Sequence, residues 1–146
     1  MDENSPAPRV VVGVDGSSSS FDALRWAVRY AAQIGGVVEA VTVWDMPYGV
    51  FAPAVDVDFD LGNARDRQTR EIREVLGEEE AASVRTELVR GDAADILLKA
   101  AEGAQALVVG SRGHGGFART LLGSVSHRVA QHSPCPVMIV RPPKES

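Results

Sequence analysis

The sequence predicts an α/β fold, a single-domain doubly wound five-stranded parallel sheet. Three observations carry this: five short apolar runs, amphipathic helical stretches between them, and glycines clustered just after the first and fourth runs. Strands that alternate with helices connect by right-handed crossovers and lie parallel, covered on both faces. The 146 residues are the length of one ordinary domain, and 45% hydrophobic with 24% charged residues is a globular composition rather than a disordered one. The folded body is expected over 9–141, between polar, proline-containing tails at 1–8 and 142–146.

The elements follow in order. Val10-Val11-Val12-Gly13-Val14 is a continuous β-branched run, the pattern of a fully covered strand, and it stops at Asp15-Gly16. Ser17 to Ser20 offer N-caps for a helix whose Phe21, Leu24, Val28, Ala31 and Ile34 recur at helical spacing until Gly35-Gly36. Val37 to Val43 forms the second strand, and a long loop is expected from Asp45 to Gly62. A charged helix from about Asn63 to Ala82 keeps a narrow apolar stripe through Ile72, Val75 and Leu76. The third strand, Val84 to Val89, is interrupted by Arg85 and Glu87, as an edge strand allows. Asp92 is placed to cap the next helix, Ala106 to Gly110 is a fourth and fully apolar strand, and Pro136 to Val140 is the fifth.

Composition excludes several functions. With 15 Lys plus Arg against 20 Asp plus Glu, a formal charge of -5, no overall basic field exists to hold nucleic acid or an acidic bilayer. The lone Cys135 rules out an internal disulfide and a four-cysteine zinc site, and fits a reducing compartment. No apolar run approaches membrane-spanning length, and Met1 to Pro6 lack the basic and apolar regions of a leader, so a cytoplasmic protein is expected.

Chemistry concentrates after the fourth strand. Open parallel sheets bind ligands beyond the carboxyl ends of their strands, where the strand order reverses, and here those ends carry Asp15-Gly16 and the segment from Gly110 to Ser124. Glycines let backbone N–H groups approach phosphate oxygens, and a helix start near Ser124 adds unsatisfied donors, a positive dipole end and a hydroxyl.

This segment resembles the universal stress proteins, whose ATP-binding members carry glycine, two residues, glycine, nine residues, glycine and Ser or Thr after the fourth strand. Gly110, Gly113, Gly123 and Ser124 match that spacing in full. The likeness extends to the opening Val-Val-Gly-Val-Asp-Gly-Ser run and to Ser133-Pro134-Cys135-Pro136-Val137 before strand five. It implies a Rossmann-like fold of the adenine-nucleotide α-hydrolase type, with strand order 3-2-1-4-5. It implies ATP, with Mg²⁺, whose phosphates meet Gly110, Gly113, Gly123, Ser124 and Val125, and the charge of Arg112 inside the same segment would serve those phosphates too. The adenosine side would be served by Gly13, Asp15 and the backbone of Val41 or Val43. The likeness further implies a homodimer through strand five at Val137 and Ile139, and a regulatory switch in the stress response rather than an enzyme. The family's other branch supplies the alternative, a dimeric interaction module that binds no ligand.

Other readings stand beside these. Gly113-x-Gly115-x-x-Ala118 fits the dinucleotide fingerprint, but no acidic residue stands about 20 positions on. Lys99 and Lys144 both lie outside the glycine segment, so the P-loop lysine is missing. Asp15 reads equally as a helix cap. A phospho-receiver needs clustered carboxylates, which Asp15 lacks in sequence. His114, His127, His132 and Cys135 have no metal-ligand spacing and read as surface histidines and a small buried residue. Ser124 and His127 sit at i,i+3 without the elbow or orienting carboxylate of a hydrolase. Arg112 and Arg119 are either phosphate partners or solvated arginines. Trp44, Tyr48, Phe51 and Phe59 suggest a lid over adenine, a partner contact or a mobile loop, and Asp56, Asp58 and Asp60 read as solvated.

Overall fold

Val10, Val11 and Val12 have no solvent exposure, and they divide between two separate hydrophobic clusters. Successive side chains of a strand point to opposite faces, so a strand covered on both sides must be apolar throughout. The computed structural model describes residues 6–44, 57–111 and 123–141. In chain order the elements are β1 (Arg9–Gly13), α1 (Ser18–Ile34), β2 (Val37–Trp44), α2 (Val57–Leu76), α3 (Glu78–Ala82), β3 (Arg85–Arg90), α4 (Ala93–Ala100), β4 (Ala106–Gly110), α5 (Ser124–His132) and β5 (Val137–Val140). All strand pairs are parallel, and the order β3-β2-β1-β4-β5 is the one expected.

One face carries Val10, Val12 and Val108 under Leu24 and Ala27 of α1 and Ile72 of α2. The other carries Val11, Leu107 and Val109 under Leu97 of α4 and Val129 of α5. Each of the buried Val, Leu and Ile side chains contributes roughly 1.5–3 kcal/mol through the water it excludes. β3 is an edge strand as its charges suggest, with Arg85, Glu87 and Arg90 exposed.

Local signals account for most boundaries. Ser17 caps α1 by accepting from the Ser20 N–H, and Gly35 ends the helix in the left-handed region at φ 66. Asp92 caps α4 by accepting from the Asp95 N–H at 3.0 Å. At the amino end of the sheet, Arg9 reaches Glu39 and donates to the Ala100 and Glu102 carbonyls, tying β1 to the end of α4.

The segment after β2 departs from expectation. α2 begins at Val57 rather than Asn63, so residues 57–62, expected in a loop, are helical, and 45–56 lie outside the described residues. The helix tolerates Gly62 at about 1 kcal/mol. The expected single helix to Ala82 is also divided: Gly77 takes φ 86, its N–H donates to the Arg73 carbonyl at 2.8 Å, and α3 starts afresh.

One contact fixes how α1 sits on the sheet. A Cβ on Gly110 would lie 2.7 Å from the carbonyl carbon and oxygen of Ser19, in the first turn of α1. Only glycine lets that turn rest on the end of β4. Gly110→Ala must displace α1 and should lower stability by about 1–3 kcal/mol. Urea unfolding checks this: a lower midpoint with an unchanged slope is expected, and a wild-type midpoint would contradict the close approach.

Candidate functional site

β1 and β4 are neighbours in the sheet but not in sequence, because the chain runs outward from β1 through β2 to β3 and from β4 to β5. Their carboxyl ends therefore diverge into loops on opposite faces, which leaves a crevice at this reversal point.

The β1 side is a braced turn. Gly16 takes φ 84, a conformation few side chains allow, and this swings the chain from β1 into α1. Asp15 Oδ1 accepts from the Ser17 N–H at 2.9 Å and from the Ser17 hydroxyl, while Ser17 Oγ accepts from the Ser20 N–H at 3.1 Å. The Ser20 hydroxyl donates to the Ser17 carbonyl at 2.9 Å and accepts from the Asp15 N–H at 3.2 Å. Ser17, not Asp15, is the helix cap. Asp15 holds that cap from outside and is itself exposed. Gly13 is tight for a different reason: a Cβ there would meet Leu97 Cδ1 at 3.0 Å.

A second carboxylate reaches the same turn. A Cβ on Gly16 would lie 3.8 Å from Oε2 of the half-buried Glu71. Glu71 sits in the middle of α2 among other charges, so no local pattern in the sequence marks it. Only the packing of α2 beside α1 brings it here.

The geometry distinguishes the two β2 candidates. Val41 pairs with Gly13, and its carbonyl accepts from the Val14 N–H at 2.9 Å, so that carbonyl is committed to β1. The ladder between β1 and β2 ends at that pair. Backbone direction alternates along a strand, so the N–H and C=O of Val43 face the same side as those of Val41, beyond the last residue of β1. They present a donor and an acceptor at the edge of the crevice.

On the β4 side the chain leaves at Ser111 and returns at Gly123, whose N–H donates to the Ser111 carbonyl at 2.8 Å. Gly123 is the N-cap of α5 and offers no side-chain cap, in contrast to Ser17 and Asp92 on α1 and α4. The His127 N–H closes the first helical bond on the Gly123 carbonyl, so the N–H groups of Ser124, Val125 and Ser126 have no intrahelical partner. Ser124 is exposed and Val125 is half-buried against the α4–α5 cluster. Such a helix start attracts an anion through its donors and its dipole.

Gly110 is accounted for by packing on Ser19, and Arg112, Gly113, His114 and Arg119 lie outside the described residues, as do Tyr48, Phe51 and Asp56. Arg128, in the second turn of α5, is engaged with Asp92 at 3.1 Å and Asp95 at 2.7 Å, an exposed pair of contacts worth little to stability. His127 and His132 are exposed as expected. Cys135 is half-buried rather than buried, because it lies in the turn before edge strand β5, where its N–H donates to Ser133 Oγ at 3.2 Å. Among the described residues no three His, Cys, Asp or Glu side chains gather as a metal site, and no helix is long and apolar enough to cross a membrane.

The Universal stress protein family matches this chain over residues 7–141. A universal stress protein of Mycolicibacterium smegmatis is 38% identical over 139 residues, covering 90% of this chain and 47% of that relative, so the chain spans about half its length. One from Methanocaldococcus jannaschii is 30% identical over 142 residues, covering 94% of this chain and 84% of the relative. A universal stress protein whose crystal structure is in complex with cAMP is 32% identical, with a TM-score of 0.59 over 93% of this chain and 98% of that one. A match across the whole sheet, joined to relatives at this level of identity, means that the chain belongs to the universal stress protein family.

Proposed function

We propose that this chain binds ATP together with Mg²⁺ at the β1–β4 crevice and acts as a nucleotide-dependent regulatory switch in the cytoplasm. The observation that carries this reading is the start of α5. Its donors lack a side-chain cap and stand where the spaced glycines return the chain to the sheet. The residues fit the ligand. Gly123, Ser124 and Val125 offer backbone donors and a hydroxyl to phosphate oxygens, Gly113 belongs to the same sequence motif, and Arg112 beside it would add charge. Gly110 serves from behind by letting the two helix starts converge. Val43 offers adenine a paired donor and acceptor, and Asp15 is the carboxylate on the adenosine side. The complex of a 32% identical relative with cAMP supports an adenine nucleotide as ligand class. Mg²⁺ would enter with the phosphates.

The residues favour occupancy over turnover. The glycine segment lacks a P-loop lysine, and Ser124 has no base and orienting carboxylate arranged as in a hydrolase. Nucleotide would favour one state of the protein, with a surface read by a partner, a population shift set by differential affinity. Calorimetric titration of MgATP into protein stripped of nucleotide is expected to give one site per chain. Gly113→Val and Gly123→Val, which put side chains where phosphate should lie, should abolish that heat while leaving the fold intact. Folded variants that bind as wild type does would overturn the phosphate-loop assignment. Absence of heat for wild type would favour the dimeric module that binds no ligand.

We further propose a homodimer through the open edge of β5. Val137 and Ile139 pack into the chain's own α4–α5 cluster, so they shape that edge from within, whereas Met138 is 39% exposed on it. An exposed apolar edge strand invites pairing with another copy. Met138→Glu is expected to convert a dimer to a monomer in light scattering, and a dimer that persists would contradict pairing through this edge.

A further inference from the structure

The hydroxyl of Ser126 is buried, and it does not serve its own helix. Serines near a helix start can bond to local backbone, but Ser126 Oγ instead donates at 2.5 Å to the carbonyl of Gly110, sixteen residues earlier at the end of β4. The residue is 5% exposed. Two backbone bonds lie beside this one: the Gly123 N–H donates to the Ser111 carbonyl at 2.8 Å, and the Ser111 N–H donates to the Val140 carbonyl at 3.0 Å. Together they fasten the first turn of α5 to the ends of β4 and β5. The N–H groups of Ser124 and Val125 belong to that turn, so their position relative to the crevice depends on the same fastening.

We infer that Ser126 is a positioning residue for the phosphate end of the nucleotide site, acting through the Gly110 carbonyl and the first turn of α5. The inference rests on the ATP reading above and goes beyond its motif, because Ser126 lies outside the spaced glycines. Its hydroxyl proton is committed to Gly110 and its side chain is buried, so it donates no bond to a phosphate itself. Without it the buried carbonyl loses its partner, and the helix start is free to shift by the fraction of an ångström that phosphate geometry registers.

The test separates phosphate positioning from general damage. ATP and adenosine, which share everything but the phosphates, are titrated into wild type and Ser126→Ala, with adenosine followed by amide chemical shifts. The variant is expected to bind ATP about tenfold more weakly and adenosine as wild type does. Equal losses for both ligands, or unchanged ATP affinity, would overturn the positioning role. Should Ser126→Ala lose its fold, Ser126→Cys keeps the volume with a much weaker donor and is read by the same comparison. Failure of wild type itself to bind ATP would overturn the nucleotide reading, an outcome distinct from any difference between wild type and variant.

Discussion

The meeting of α1 with the end of β4 at Gly110 sets the geometry of the switch point. A Cβ at this position would drive into the Ser19 backbone, so the missing side chain is what lets the first turn of α1 rest directly on the sheet. From the opposite face, Ser126 of α5 bonds the carbonyl of the same glycine. Two helices that approach from opposite faces are thus registered against a single residue. Their N-termini, one capped by Ser17 and the other by no side chain, flank the crevice at a separation that neither loop has to determine. The glycine resembles part of a phosphate motif in sequence, and its first physical duty is packing.

That arrangement suits a local anion site even in a chain with a net charge of -5. The attraction is local. It comes from backbone donors at a helix start and from the oriented dipole behind them, which act over the first turn and are indifferent to the overall charge. Asp15 and Glu71 at the neighbouring turn make the β1 side acidic, suited to hydroxyl groups and unsuited to phosphate. The reversal point is therefore polarised, with acidic side chains on the β1 side and helix-start donors on the α5 side.

Much of this was legible in the sequence, for identifiable reasons. β1 and β4 announce themselves because burial on both faces demands continuous apolar runs, and β3 betrays its edge position by its charges. Ser17 and Asp92 are caps whose chemistry is local and therefore readable. What was not legible depends on tertiary placement. The start of α2 at Val57 overrides the weak propensity of Gly62, and the break at Gly77 falls where the charged pattern continues unchanged. Glu71 and Ser126 carry no motif: one reaches the turn because α2 packs beside α1, the other because a buried carbonyl needs a donor. The strand-five residues named from the family likeness, Val137 and Ile139, pack against the chain's own core, while the exposed side chain is the intervening Met138. The alternation was visible in sequence, but which face is covered follows only from the position of α5.

The proposed site has a definite location, with an adenine nucleotide across the β1–β4 reversal and its phosphates on the start of α5. Amide chemical shifts of isotopically labelled protein, freed of nucleotide and titrated with MgATP, test it residue by residue. The largest shifts are expected at Val43, Asp15, Gly123, Ser124 and Val125, with little change at Arg9, Cys135 and the amino ends of the strands. Shifts centred on the amino ends of the strands, with Ser124 and Val125 unmoved, would contradict that location.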